Sequence, residues 1–399
     1  MIKMFSIDNF DVKDKIVLIR TDFNVPLDEQ GNITDNKRIV ASLPTIKELL
    51  KRGATVITMS HLGRPDGKKV KELQMDNVAK ELAKELEVPV KKLDDCLGQK
   101  IKKEIQKKNY CVYVIENLRF HNEEEANDER FAKEIAELGD YYVNDAFGTC
   151  HRAHASVVAI TKFLPSATGY LLEKEISNLS KALKPKKPFV VILGGAKISD
   201  KIGVIQNLKA TSFLIGGAMC FTFLKALGKE VGKSKAEEDK IDFAQKMMKK
   251  KNVVLPADVV VADDKENPTK VQTVNVDSIP KDTIGLDVGD KTVSLFKKEI
   301  KKAKTIVWNG PLGLFEKKPF DKATREIANS LKKSKAEIII GGGDTIAAIE
   351  KLGIKKDNIH ISTGGGASLE FLEGKKLPAI KALEENFSKY RNKIYKLKK

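Results

Sequence analysis

The chain has 399 residues, 41% of them hydrophobic, with 72 Lys and Arg against 55 Asp and Glu and a formal net charge of +17. That length exceeds one ordinary core and predicts two or three domains, while the apolar share excludes a disordered chain. No apolar run reaches the roughly 20 residues that span a bilayer.

The start, MIKMFSIDNF, has no apolar stretch of the signal-peptide kind, so a cytoplasmic chain is expected. Cys96, Cys111, Cys150 and Cys220 are scattered and form neither a CxxC pair nor a disulfide framework. The positive charge raises a nucleic-acid-binding protein as the alternative function. Such a protein needs a basic stripe interleaved with aromatics, and aromatics are only 6% of this chain. Only nine of the 72 basic residues are arginine, and five of these (Arg20, Arg38, Arg64, Arg119, Arg152) fall in or beside motifs. A planar guanidinium grips phosphate or carboxylate through two bonds, whereas lysine solvates a surface anywhere.

In chain order, KIVLIR, TVITMSH, CVYVIEN and YYVNDAF are short runs rich in Val, Ile and Tyr, separated by amphipathic stretches such as RIVASLPTIKELLKRG. Strand and helix in alternation predict a parallel sheet covered on both faces. The strand ends carry polar residues. Asp22 and Asn24 flank Phe23 and point the same way in extended chain, although either alone more commonly makes a turn. Arg20 and Arg38 bound the segment after the first run, His61 and Arg64 follow the second, Arg119 the third and Arg152 the fourth. Four strand ends each delivering a cation is the pattern that neutralises a multiply charged anion. GYLLEKEISNLSKALKPKKP then predicts a connecting helix with a proline stop.

The second half alternates likewise through FVVILGG, SFLIGG, NVVLPADVVVA, TIVWNGP, EIIIGGG and HISTGGG, but its runs end in glycine. Ligands of open parallel sheets bind beyond the strands' carboxyl ends, where glycine lets backbone come close. In LGGAKISDK, Lys197 and Lys201 are four apart and share a face if a helix begins there. GKEVGKS has one residue too few between its glycines for a phosphate-binding P-loop. In WNGPLGLFE, Leu and Phe are candidates to wall an adenine and Glu316 to accept from ribose. Asp344, beside the glycines of GGGDT, has the chemistry of a Mg²⁺ ligand. Gly364, Gly365 and Gly366 lead into a last helix whose amides suit a phosphoryl group.

RTDFNVP, SHLGRPDG, ENLRFH, GTCHRAHAS, GGAKISDK, WNGPLGLFE, GGGDT and ISTGGGASLEFLEGK stand in this order from about Val17 to Pro378. Together they resemble the phosphoglycerate kinase family. The resemblance implies an α/β chain of two Rossmann-like three-layer domains with mostly parallel sheets, joined by an interdomain helix and hinge. Residues 1–170 would bind 3-phosphoglycerate or 1,3-bisphosphoglycerate, 171–185 would connect, 186–378 would bind ADP or ATP with Mg²⁺, and 379–399 would return toward the N-terminal domain. It implies an acid site of Asp22, Asn24, Arg38, His61, Arg64, Arg119 and Arg152. It implies a nucleotide site of Gly195, Lys197, Lys201, Gly216, Gly217, Gly285, Asn309, Pro311, Leu314, Glu316, Gly342, Gly343, Asp344 and Thr345, with Asp344 at the metal. Arg38 and Lys197 would neutralise the transferring phosphoryl group beside Gly364–Gly366. A monomer without nucleic-acid or membrane partners is expected. Cys150, where relatives usually have alanine, and Asp290, where proline is more usual, depart from the pattern.

Overall fold

The computed structural model describes residues 3–350, 352–354 and 356–396. The chain divides into two compact units, one built on the chain up to Ile176 together with the residues from Lys376 on, the other on Ser177–Lys375.

The first unit carries a sheet of β1 (Phe5–Ser6), β2 (Ile16–Arg20), β3 (Thr55–Met59), β4 (Val90–Lys92), β5 (Val112–Val114), β6 (Tyr141–Asn144) and β7 (Ser166–Thr168). The order is β1-β7-β6-β2-β3-β5-β4, all parallel. Its central strands β2, β3 and β5 are mostly apolar because both faces are covered, whereas the edge strand β4 (VKK) is only half-buried. Val17 and Ile19 enter one core with Ile39, Ile46 and Leu49 of the helix Lys37–Lys51. Leu18, between them, enters the opposite core with Ile57, Tyr113 and Tyr142. Each such aliphatic side chain contributes about 1.5–3 kcal/mol by leaving water. From β2 the chain winds outward through β3, β4 and β5, then returns to the other side of β2 with β6. The topological switch therefore lies between β2 and β6, where ligands of such sheets bind.

The second unit repeats the plan with β8 (Phe189–Leu193), β9 (Ser212–Ile215), β10 (Val253–Val254), β14 (Thr305–Asn309), β15 (Glu337–Gly341) and β16 (Ile359–Ile361), ordered β10-β9-β8-β14-β15-β16 and parallel. Val190, Ile192, Ile306 and Trp308 share one core. The switch falls between β8 and β14. A separate antiparallel sheet, β12-β11-β13, consists of β11 (Asp258–Ala262), β12 (Val271–Asn275) and β13 (Ile284–Val288). NVVLPADVVVA, which reads as one strand, is thus two strands on two sheets. Pro256 separates them, since proline offers no amide to a ladder.

The helix Tyr170–Leu183 ends two residues before Pro185, and the division between the units falls within it. The last helix, Pro378–Lys396, packs on the first unit. Asn386, buried there, accepts from the Ser166 amide at 2.9 Å and donates to the carbonyls of Thr161 (2.6 Å) and Leu164 (2.8 Å).

Candidate active site

In the first unit the polar residues at the ends of β2, β3, β5 and β6 are linked by hydrogen bonds. Arg38 Nη1 meets Asp22 Oδ2 at 2.7 Å. Asn24 Oδ1 accepts the Gly63 amide at 2.8 Å, and the Gly63 carbonyl accepts Arg119 Nη1 at 2.8 Å. Gly63 has φ +64, and a side chain there would also press on Leu73, so glycine is required. Arg119 also pairs with Glu125 at 2.9 Å. Arg152 Nε lies 3.3 Å from His151 Nε2, and Arg64 is exposed.

Sequence reasoning left four members of this network, Arg20, Glu124, His154 and Ser156, out of the site. Arg20, fully buried, donates from Nε to Ser156 Oγ (2.9 Å), from Nη1 to the Thr21 carbonyl, and from Nη2 to His61 Nδ1 (3.2 Å). Glu124, equally buried, accepts from the Ser156 amide (2.8 Å) and hydroxyl (2.6 Å). His154 Nδ1 is 3.9 Å from Glu124. The signal for Arg20 was its scarcity as an arginine; GTCHRAHAS contained His154 and Ser156 without marking either as site residues.

Burial, then the charges of Arg20, Arg119 and Arg38, hold the His61 imidazole well below its usual pKa. Burial and then Arg20, Arg119 and Arg152 bring His154 down to about 3. Both rings stay neutral because burial, and then the neighbouring guanidiniums, disfavour a further positive charge. The unfolded chain protonates these histidines near the ordinary value of 6.5, and the folded chain only at much lower pH. Their stabilising contribution is complete above pH 6.5 and is lost as pH falls from there, for His154 until about 3. For His154 the loss at pH 5 is about 2 kcal/mol. Denaturant unfolding at pH 7 and pH 5 checks this, and His154→Gln is expected to lose that part of the acid sensitivity.

In the second unit a cavity of about 290 Å³ opens beyond β8 and β14 and is lined along one side by β13. Of the predicted residues, Gly195, Gly217, Gly285, Pro311, Leu314, Glu316 and Asp344 line it. Glycine has a specific cause at two of these positions. A side chain at Gly285 would occupy the place of the Phe221 ring, and one at Gly217 (φ +62) would strike the Gly195 backbone. The Gly285 amide is held by Ser234 Oγ at 2.8 Å, so the end of the rejected GKEVGKS segment buttresses the cavity. Phe221, Lys235 and Lys265 also line it, and no motif had pointed to them. Asp287 accepts the amides of Val288 (2.9 Å) and Ala323 (3.0 Å), and burial pushes its carboxyl up to about 7.

Gly216, Lys197, Lys201, Asn309, Gly342, Gly343 and Thr345 lie outside that lining. Lys201 donates to Asn309 Oδ1, and burial lowers its pKa against the opposing charges of Asp200 and Asp344. Thr345 Oγ1 accepts the Gly310 amide at 2.6 Å. Asn309 Nδ2 is buried without a protein partner. Lys197 and Lys201 do not share a helix face as their spacing suggests. The helix begins only at Ile202, after a short 3₁₀ turn at Ser199–Lys201, which leaves Lys197 exposed in the preceding loop. Asp344 is exposed in the first turn of the helix Gly343–Glu350. Gly364 and Gly365 precede the helix Gly366–Leu372, which Gly366 opens.

One other group with metal-ligand chemistry comes together among the described residues, Asp95, Cys96 and His121. Its atoms already have protein partners: Lys69 (2.8 Å) and His121 (2.7 Å) on Asp95, and the Glu116 carbonyl (3.0 Å) for the thiol.

A family model described as phosphoglycerate kinase matches residues 7–375. The chain is 52% identical to the phosphoglycerate kinase of Dictyoglomus turgidum, covering 94% of this chain and 97% of that one. It is also 52% identical to that of Finegoldia magna, over 95% and 99%. The structure of phosphoglycerate kinase from Coxiella burnetii superposes with a TM-score of 0.87 at 40% identity, over 96% of this chain and 99% of that one. That of the Pyrococcus horikoshii enzyme gives 0.85 at 31% identity, over 97% and 100%. On the family match and these identities, the chain belongs to the phosphoglycerate kinase family.

Proposed function

We propose that the chain catalyses the reversible, Mg²⁺-dependent transfer of the acyl phosphate of 1,3-bisphosphoglycerate to ADP, giving 3-phosphoglycerate and ATP. The observation that carries the acid site is the set of arginines around His61 and His154, whose charges help keep both rings neutral. Asp22, Asn24, Arg38, His61, Arg64, Arg119 and Arg152 bind the acid, whose carboxylate and phosphate need several cations. The cavity lined by Gly217, Gly285, Pro311, Leu314 and Glu316 takes the nucleoside. Lys197, Lys201 and the amides around Gly342–Thr345 and Gly364–Gly366 take the phosphates. The unpartnered Nδ2 of Asn309 supports a polar ligand there.

In the reverse direction a carboxylate oxygen of 3-phosphoglycerate attacks the γ-phosphorus as its bond to ADP breaks. The nucleophile is ionised at neutral pH, so no proton moves and no general base is needed. Positioning and charge stabilisation do the remainder, with Arg38 and Lys197 on the transferring group. Asp344 has the oxygen chemistry Mg²⁺ takes, at the edge of the cavity, and the ion would neutralise nucleotide phosphate oxygens. Domain closure is the means proposed for bringing acid and nucleotide together.

The alternative of a nucleic-acid-binding protein gains no support. The exposed large hydrophobic side chains among the described residues are Val40, Leu183, Leu227 and Val271, none of them an aromatic platform for a base. The test is a coupled assay with 3-phosphoglycerate, MgATP and a dehydrogenase that consumes 1,3-bisphosphoglycerate. Turnover requiring all three is expected. Folded protein that binds MgATP without turnover contradicts the assignment of the acid.

A further inference from the structure

We infer that Glu124 and Ser156 are positioning residues for the acid site, acting through Arg20 to fix which nitrogen of His61 carries its proton. The inference rests on the reading of that cluster as the acid site. The direction of each bond follows from the groups themselves. A guanidinium has only donors, so Arg20 Nη2, 3.2 Å from His61 Nδ1, makes Nδ1 the acceptor. A neutral ring that accepts at Nδ1 carries its proton on Nε2. Burial and the surrounding arginines keep the ring neutral. His61 therefore presents an N–H donor from Nε2, which is what an anionic substrate requires.

Arg20 has to be held for this to work. Its Nε–H donates to Ser156 Oγ at 2.9 Å, which occupies a lone pair of that hydroxyl and directs its single proton elsewhere. The proton goes to Glu124 Oε1, 2.6 Å away, while Glu124 Oε2 takes the Ser156 amide at 2.8 Å. The relay Arg20 → Ser156 → Glu124 thus runs one way, from a group that only donates to a carboxylate that accepts twice. All three residues are fully buried. Glu124 also supplies negative charge beside a guanidinium, which limits repulsion among the arginines while leaving Arg38, Arg64 and Arg152 to meet the ligand. No other carboxylate bonds to Ser156 or Arg20 among the described residues, so the relay has a single anchor.

The test is ¹⁵N NMR of histidine-labelled full-length protein, with the KM for each substrate measured in parallel. In the wild type the His61 signals are expected to be those of a pure Nε2–H tautomer, and to move when 3-phosphoglycerate is added. In Ser156→Ala the tautomer is expected to become mixed. The KM for 3-phosphoglycerate should rise about tenfold, the scale of one lost hydrogen bond to a charged group, and that for MgATP should not change. Ser156→Thr, which keeps the hydroxyl, should restore both readouts, and Glu124→Gln should resemble Ser156→Ala. The NMR signature is read on the folded fraction alone, so partial unfolding of a variant does not imitate it. An unchanged tautomer in Ser156→Ala, or equal losses for both substrates, overturns the inference. A wild-type His61 signal that ignores 3-phosphoglycerate overturns instead the reading of the cluster as the acid site.

Discussion

Arg38→Ala is expected to lower kcat by about a thousandfold or more, the scale on which a transition-state donor or arginine contributes to phosphoryl transfer. Its guanidinium is aimed by Asp22, 2.7 Å from Nη1, and is more than a third exposed, with its remaining N–H groups available to a ligand. Its partner Asp22 is buried, so losing the pair is expected to cost about 1–3 kcal/mol and to lower the melting temperature by a few degrees without unfolding the protein. Arg38→Lys should recover only a small part of the rate, because an ammonium keeps the charge and loses the fork. Lys197→Ala should behave alike, being an exposed loop residue whose loss leaves no cavity. Steady-state rates beside thermal melts separate this outcome from simple unfolding. A variant with near-normal kcat would remove Arg38 from the chemistry.

Gly194→Ala is expected to destabilise the second unit by about 3 kcal/mol or more, the upper range for an overpacked buried position. A side chain there would run into the carbonyl oxygens of both Gly310 and Pro311, where the loops leaving β8 and β14 cross at the switch point. Those loops cannot separate cheaply. The Gly194 amide donates to the Asn309 carbonyl (3.0 Å) and the Gly195 amide to that of Pro311 (2.8 Å). The same crossing forms the floor of the cavity, so nucleotide affinity should fall with stability. Gly343→Ala is the control, since nothing stands within 4 Å of its added carbon and its φ is not positive. Its stability should stay within about 0.5 kcal/mol of wild type. Denaturant unfolding of both variants decides the point.

These expectations also mark what a sequence can disclose. Both parallel sheets were readable because strands buried on two faces carry short continuous apolar runs, as IVLI of β2 and IVW of β14 do. The glycines were readable because the space a side chain needs is already taken, by backbone at Gly217 and by the Phe221 ring at Gly285. Arg20 was harder to place. As the last residue of β2 it reads as the edge of a strand, and only the fold sets Ser156 and His61 against it. Glu124 is one of three successive acids that look like a solvated helix start, yet it is fully buried while its neighbours are exposed. The β12 strand escaped because it is mostly exposed and lacks the apolar signature of the buried strands. Phe221 and Lys265 reach the cavity from segments whose local pattern concerns only their own helix or turn.

The central claim is that each unit holds its own substrate, and titration calorimetry with 3-phosphoglycerate and MgADP separately tests it most directly. Wild type, Arg119→Ala and Lys201→Ala would be compared at one ionic strength. Arg119→Ala is expected to lose the acid and bind the nucleotide as before, and Lys201→Ala the reverse. Folded variants that each lose both ligands, or acid and nucleotide that compete for one site in the wild type, would contradict the account.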